Sequence, residues 1–247
     1  MAITAGNKLR TLYKHLFPGA PLTTEELGDL GISPILAAHY VRAGWLNHLG
    51  RGVYAKAGDE LALKPSLLVL QRKVQGLHVG GKSALDWYGV RHYVAQQPTL
   101  HLYGWSGSSA RLPTWFTERF AVEFHRKRLF QEAPEHLLYV TPFEKRAAEP
   151  DTSEPERAVL ELLSEVGQRQ PIQEARELLE GAHTLRASVL RELLQRCTSV
   201  KTVRLCLQLG NELALPWASK LNPVELPTGS SRDWVTRTPE GVLTLKP

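Results

Sequence analysis

Apolar and polar positions alternate along this chain in three successive rhythms. Residues 6–17 repeat Leu9, Leu12, Tyr13, Leu16 and Phe17 at helical spacing, which predicts a first amphipathic helix. Residues 23–57 (TTEELGDLGISPILAAHYVRAGWLNHLGRGVYAKA) predict two short helices, a tight turn and a hairpin. Thr23 and Glu26 have the Ser/Thr-x-x-Glu spacing of a capping box. The first of these helices ends near Gly31, and Ser33-Pro34 restarts the chain with a capping serine and a proline suited to the first helical position. In the second, Leu36, Ala37, Tyr40 and Val41 form the buried stripe, leaving Ile35, Ala38, His39 and Arg42 on the opposite face. Residues 45–49 and 53–56 then read as two strands joined across Gly50-Arg51-Gly52, where flanking glycines permit a tight turn.

Beyond residue 64 the rhythm changes. Residues 66–75 and 82–88 read as helices, and 112–119 as a helical stretch. Strands are expected at 77–79, 99–103, 121–125 and 137–141, with Val122 and Phe124 facing one way and Glu123 and His125 the other. Residues 149–153 read as a linker. Ser153 and Glu156 repeat the capping-box spacing ahead of a stripe of Ala158, Val159, Leu162, Leu163 and Val166. In that reading Glu154, Glu161 and Glu165 form a solvated face. Helices at 171–180, 184–197 and 200–211 follow, then short strands at 224–226, 234–237 and 242–245. The fold class is therefore α+β. An N-terminal winged helix-turn-helix (residues 1–64) precedes a small α/β unit (65–148) and a mostly helical C-terminal region (149–247), the last two also being compatible with a single domain.

Charge sharpens this division. The chain of 247 residues carries a formal net charge of +5. Seven Lys/Arg against five Asp/Glu in residues 1–64 give +2, eleven against six in 65–148 give +5, and twelve against fourteen in 149–247 give −2. Only the first two segments suit a polyanion. A helix with a small, cationic outer face fits a major groove, and a hairpin tipped with arginine fits phosphates or the minor groove. The DNA-facing set is Ser33, Ile35, Ala38, His39 and Arg42 on the helix, with Asn47, His48, Arg51 and Lys56 on the hairpin. Lys8, Arg10 and Lys14 are further candidates for phosphate contact, and Arg126-Lys127-Arg128 is the densest cationic run. Cys197 and Cys206 lie in helical sequence and read as buried thiols in a reducing compartment. With no signal-peptide pattern at the start and no apolar run near 18 residues, the sequence predicts a cytoplasmic protein without membrane partners.

Catalytic signals are few. Residues 76–83 (GLHVGGKS) satisfy the phosphate-loop pattern G-x-x-x-x-G-K-[ST]. A true loop follows a buried strand, whereas an amphipathic helix precedes Gly76, and Leu77 and Val79 read as core. His78, His92, His101 and His125 share no metal-ligand spacing, and no G-x-S-x-G elbow occurs. The sequence thus predicts no enzyme, no cofactor and no metal. A nucleotide-dependent nucleic-acid enzyme is the alternative that the phosphate-loop match leaves open.

The N-terminal pattern, GGKSALDWYG, SEPERAVLELLSEV, SVKTVRLCLQL and Pro216-Trp217, in this order, resemble the AbiEi antitoxins of type IV toxin–antitoxin systems over nearly the whole chain. The resemblance implies a transcriptional autorepressor that binds repeats in its own promoter. It also implies a C-terminal region that neutralises a cognate nucleotidyltransferase-like toxin. Relatives tend to carry a glycine-rich turn with a basic residue near the C-terminus. Here residues 226–232 (LPTGSSR) have Pro227 in place of its first glycine, which leaves the role of Arg232 and an orphan regulator without a toxin open.

Overall fold

The computed structural model describes residues 5–15, 17–90, 99–104, 111–133, 135–238 and 241–246. The chain is a mixed α+β protein. It begins with α1 (Ala5–His15), β1 (Leu22–Thr23), α2 (Thr24–Asp29), α3 (Pro34–Arg42), β2 (Leu46–Gly50) and β3 (Val53–Lys56). Thr23 caps α2 as its spacing predicts: its hydroxyl accepts from Glu26 N at 3.2 Å, and the Glu26 carboxylate accepts from Thr23 N at 2.7 Å. Ser33 caps α3 by accepting from Leu36 N, with Pro34 in the first turn. Gly31 bridges the two helices at φ +72°, a conformation that favours glycine. Leu12, Leu27, Ile32, Ala37, Tyr40 and Leu46 form a small core of their own, and β1, β3 and β2 pair in that order beneath it.

The next elements are α4 (Leu63–Lys73), β4 (His78–Val79), α5 (Gly81–Trp87), β5 (Leu100–Gly104), α6 (Thr114–Thr117), β6 (Val122–Arg126), β7 (Val140–Pro142) and β8 (Asp151–Ser153). A mixed five-stranded sheet takes the order β6-β5-β4-β8-β7. Residues 151–153, expected as linker, are thus a strand parallel to β4 and antiparallel to β7. Two or three residues are too few to show a period, so pairing, not pattern, defines these strands. Four helices follow: α7 (Pro155–Glu165), α8 (Ile172–Glu180), α9 (Ala187–Gln195) and α10 (Val200–Glu212). The chain closes with β9 (Trp234–Thr238) against β10 (Gly241–Leu245). Residues 224–226, expected as a strand, do not form one: Pro223–Glu225 is a 3-10 turn, in which Val224 N donates to Asn222 Oδ1.

The second core runs continuously from Val53 and Leu67 through the sheet to Leu245, and α7 lies at its centre. Every residue from Glu156 to Glu165 is buried. This corrects the solvated face expected for Glu154, Glu161 and Glu165: the sheet and α5 cover one side of α7, and α8, α9 and α10 cover the other. Each carboxylate has a cationic partner there. Arg186 and Lys145 meet Glu154, Lys127 meets Glu165, and His78 and Arg157 meet Glu161. The capping box expected at Ser153 is also absent. Glu154 occupies the cap position, while Glu156 accepts from Arg186 and the Ser153 hydroxyl donates to Glu161 at 2.8 Å.

Glu161 is the hub. Its oxygens accept from Arg157 Nε at 2.7 Å and Gly81 N at 3.0 Å, and lie 2.9 Å from His78 Nε2. Arg157 continues the network as a bidentate pair with Glu132, both contacts at 2.8 Å, and donates to Leu138 O. Burial raises the Glu161 pKa, but His78 and Arg157 outweigh that and hold it at about 2. Arg204, also buried, gathers the carbonyls of Thr228, Ser230 and Arg232 and so fixes the C-terminal turn against α10. Trp217 fits against Gly210, where a Cβ would come within 2.7 Å of the ring, and donates from Nε1 to Ala182 O.

Two predictions follow from the hub. Glu161→Gln removes the counter-charge of a buried ion pair and should cost about 3–5 kcal/mol in urea unfolding. Because the folded pKa lies below the ordinary 4.5, Glu161 contributes its full stabilisation above pH 4.5 and loses it as pH falls towards 2. Stability measured across that window should therefore drop in the parent chain and drop less steeply in the variant. Ending the chain after Pro150 removes β8 and the Glu161 partner of His78. Such a fragment should lose the cooperative thermal transition of the larger core in circular dichroism and keep at most the smaller one of the N-terminal core.

Candidate nucleic-acid interface

Three helices and a hairpin position the residues singled out in the sequence. On α3, Ala37 and Tyr40 are buried and Leu36 and Val41 half-buried, which turns Ile35, Ala38, His39 and Arg42 outward. Ile35 is 82% exposed, an unusual degree for an isoleucine in an ordered helix. Ser33 stands exposed at the start of this face with its hydroxyl engaged in the cap. The α2–α3 turn is tied down from behind by Lys8, whose Nζ donates to Gly31 O at 2.6 Å. Lys8 thus has a structural partner, while Arg10 and Lys14 are exposed.

The hairpin is short and closely seated. Arg51 is exposed at the tip, and Gly52 alone of the two flanking glycines has positive φ, +67°. Gly50 serves another need: a Cβ there would stand 3.2 Å from Trp115 Cδ1, so the hairpin rests against α6. Gly52 O accepts from Thr24 N, and Arg51 O accepts from Lys73 Nζ at 3.2 Å. Lys73 therefore adds a second cation at the tip. Nothing in its helical sequence context marks it for that place. His48 pairs across the ladder with Tyr54 and its ring lies 5.3 Å from that tyrosine's. Asn47, exposed and adjacent in the strand, points to the opposite sheet face. Lys56 is half-buried, 3.4 Å from Asp59 and above the Tyr13 ring, and so is already engaged. The geometry thus groups Ile35, Ala38, His39 and Arg42 on one helix face and puts Arg51 with Lys73 at the tip. Asn47 and His48 do not share a surface.

The phosphate-loop match has a different anatomy. β4 lies inside the motif, and α5 begins at Gly81 with no side-chain cap at Gly80. The place a phosphate would take, against the Gly81 N–H, holds the Glu161 carboxylate. Lys82 faces Glu174 at 3.3 Å, and Ser83 Oγ bonds to the backbone at Thr99 and His101. Of the four histidines in the sequence reading, His92 lies outside the described residues and His78 belongs to the Glu161 network. His101 and His125, 24 residues apart in the chain, come from adjacent strands and meet at 3.0 Å. Burial, with Lys82 and His125 nearby, lowers the His101 pKa to about 3. Cys197 and Cys206 are buried free thiols, pushed by burial up to about 11 and about 12. No helix among the described residues is long and apolar enough to cross a membrane.

Comparison with known proteins identifies the family. Residues 5–96 match the family model described as the AbiEi antitoxin N-terminal domain of transcriptional regulators. Residues 97–246 match the model described as transcriptional regulator, AbiEi antitoxin, type IV toxin–antitoxin system. Among solved structures, the crystal structure of the RV2827C protein from Mycobacterium tuberculosis superposes with a TM-score of 0.58 at 17% identity, over 96% of this chain and 89% of that one. That likeness concerns the fold. No curated protein matches. The two family matches together span the chain, which belongs to the AbiEi family of transcriptional regulator antitoxins of type IV toxin–antitoxin systems.

Proposed function

We propose that residues 1–64 form a winged helix-turn-helix that binds repeats in the protein's own promoter, with α3 as recognition helix and β2–β3 as wing. The carrying observation is the outer face of α3, where Ile35, Ala38, His39 and Arg42 are all exposed while the helix is capped and packed behind. Small side chains near its start let a helix approach base edges, and a cation farther along reaches bases or phosphate. Arg51 and Lys73 at the hairpin tip supply charge for the backbone. The order α1-β1-α2-α3-β2-β3 and the N-terminal family match support the same reading.

The toxin-directed task falls to residues 149–247 in this proposal, with residues 65–148 between the two. The −2 balance of that region disfavours contact with DNA. The partner is a cognate nucleotidyltransferase-like toxin, and the protein works in the cytoplasm without catalysis of its own.

Gel-shift titration with the promoter repeat tests the DNA half. Affinity should fall by about 0.9 log units per log unit of salt for each phosphate neutralised. Arg51→Ala should weaken operator and unrelated DNA alike and lower the salt slope by about one. Arg42→Ala and His39→Ala should instead narrow the gap between operator and unrelated DNA. Unchanged titrations in all three would place the DNA surface elsewhere.

The division of labour has its own test. A chain with Arg42 and Arg51 both changed to alanine, expressed from a foreign promoter, should fail to repress yet still protect cells from the toxin encoded beside it. Both side chains are exposed, and charge effects decay over a Debye length of about 8 Å. Loss of protection at equal abundance would tie antitoxicity to the DNA-binding surface.

A further inference from the structure

β5 and β6 run parallel in register, so His101 stands beside Glu123 and Tyr103 beside His125. His101 Nδ1 lies 3.0 Å from His125 Nε2, and Glu123 Oε2 lies 3.7 Å and 3.8 Å from these two nitrogens. The circle through three atoms so spaced has a radius of about 2.0 Å, and zinc bonds to imidazole nitrogen and carboxylate oxygen measure about 2.0–2.2 Å. We propose that His101, His125 and Glu123 are the protein ligands of a zinc(II) ion, whose fourth position is left to water. The inference is independent of the DNA and toxin readings.

Three observations carry it. Glu123 Oε2 is a buried carboxylate oxygen with no hydrogen-bond partner among the described residues, although the rest of its side chain is 44% exposed. Such an atom is costly unless something cationic meets it, and it points into the gap between the two imidazoles. Second, the other nitrogen of His125, Nδ1, lies 3.4 Å from Glu165 Oε2. Glu165 is itself held by Lys127 at 3.0 Å and by Ser164. A carboxylate behind a ligating histidine fixes its tautomer and raises its basicity. Third, Tyr103 stacks on the His125 ring at 4.5 Å between centroids and holds its plane; Nε2 points head-on at His101 Nδ1, and taking up the ion turns the two rings toward Glu123. Two imidazoles with one carboxylate select zinc or a similar transition ion over magnesium and calcium, which take oxygen ligands.

Neighbouring cations leave room for the ion. Lys82 is paired with Glu174, and Lys127 with Glu165. Arg169 Nη1 approaches His125 Nδ1 at 3.3 Å, but its side chain is exposed and free to withdraw. Without metal, a single proton between His125 Nε2 and His101 Nδ1 closes their 3.0 Å contact. With metal, the His125 proton moves to Nδ1 and faces Glu165, and both inward nitrogens present lone pairs to zinc.

The test uses the full chain stripped by a chelator and dialysed. Titration with cobalt(II) should give visible ligand-field absorption that saturates at one ion per chain. Zinc(II), followed by competition with a chromophoric chelator, should displace the cobalt, and a large excess of magnesium should not. Zinc should also raise the Tm, because it binds the folded state alone. His101→Ala and His125→Ala should abolish the cobalt spectrum. Glu165→Gln should weaken zinc binding by about 10–100-fold, as expected behind a ligand. Glu123→Gln alters a half-exposed side chain, keeps the fold, and should weaken binding at least as much, so it decides the matter if a histidine variant fails to fold. A parent chain that takes up no stoichiometric metal overturns the proposal. So does binding that survives undiminished in Glu123→Gln, because the ion would then be held by other histidines.

Discussion

A single buried carboxylate organises the larger part of this protein. Glu161 faces four elements at once: β4 through His78, the start of α5 through the Gly81 amide, β8 through Ser153, and its own helix through Arg157. Moving such a charge out of water costs several kcal/mol, and the cost is offset only where geometry satisfies every lone pair. Here each partner belongs to a different segment, so the contacts are met together or not at all. A slip of β8 by one residue would turn the Ser153 hydroxyl to the other face of the sheet. The network therefore specifies register as well as contributing stability. Arg157 extends it to Glu132 and, directly, to the Leu138 carbonyl, which reaches the approach to β7 at the sheet's far edge.

The N-terminal unit has its own small core and is joined to the larger one at few, close points. Gly50 lies on Trp115, Arg72 of α4 pairs with Glu26 of α2 at 2.8 Å, and Lys73 holds the Arg51 carbonyl. Val53 of β3 enters the larger core directly. The exposed face of α3 and the hairpin tip are thus held by different supports: α3 by its own cap and stripe, the tip by α4 and α6. A tip seated in this way presents Arg51 at little ordering cost when it meets a polyanion. It also means that loss of packing around Trp115 would reach the proposed wing before it reached α3.

Legibility in the sequence followed the range of the interactions. The caps at Thr23 and Ser33 and the stripe of α3 were readable because they act within one helical turn, and the structure has them where the spacing puts them. The buried stripe of α7 was readable for the same reason. Its polar residues were not, because Glu154, Glu161 and Glu165 recur like a solvated face and their partners lie up to 83 residues away. Ser153 matched a capping box by spacing but was drawn into a strand, where tertiary pairing outweighed the local motif. The same holds for His101, Glu123 and His125: spacing along the chain is uninformative, and only the parallel register of β5 and β6 brings them together. At the hairpin, adjacent residues alternate faces, so Asn47 and His48 could not both be read onto one surface without the strand in view.

The false phosphate loop shows why a motif and its chemistry can part. Glycines at 80 and 81 are needed because the backbone passes very close to its neighbours: a Cβ on Gly80 would lie 2.3 Å from Glu161 Oε2 and 2.5 Å from Tyr103 Cδ2. With no side chain at 80, the start of α5 has no cap of its own, and its free N–H at Gly81 still needs an acceptor. A phosphate would satisfy that amide in a nucleotide-binding protein. Here the acceptor is intramolecular and arrives from α7. An apolar residue in place of Glu161 would leave the Gly81 N–H, the Ser153 hydroxyl and His78 Nε2 without this partner together, which is worse than having no polar groups there. The glycine–glycine–lysine–serine sequence is therefore the imprint of a close helix–strand approach capped in trans, and the anion that the helix start demands is already supplied by the fold.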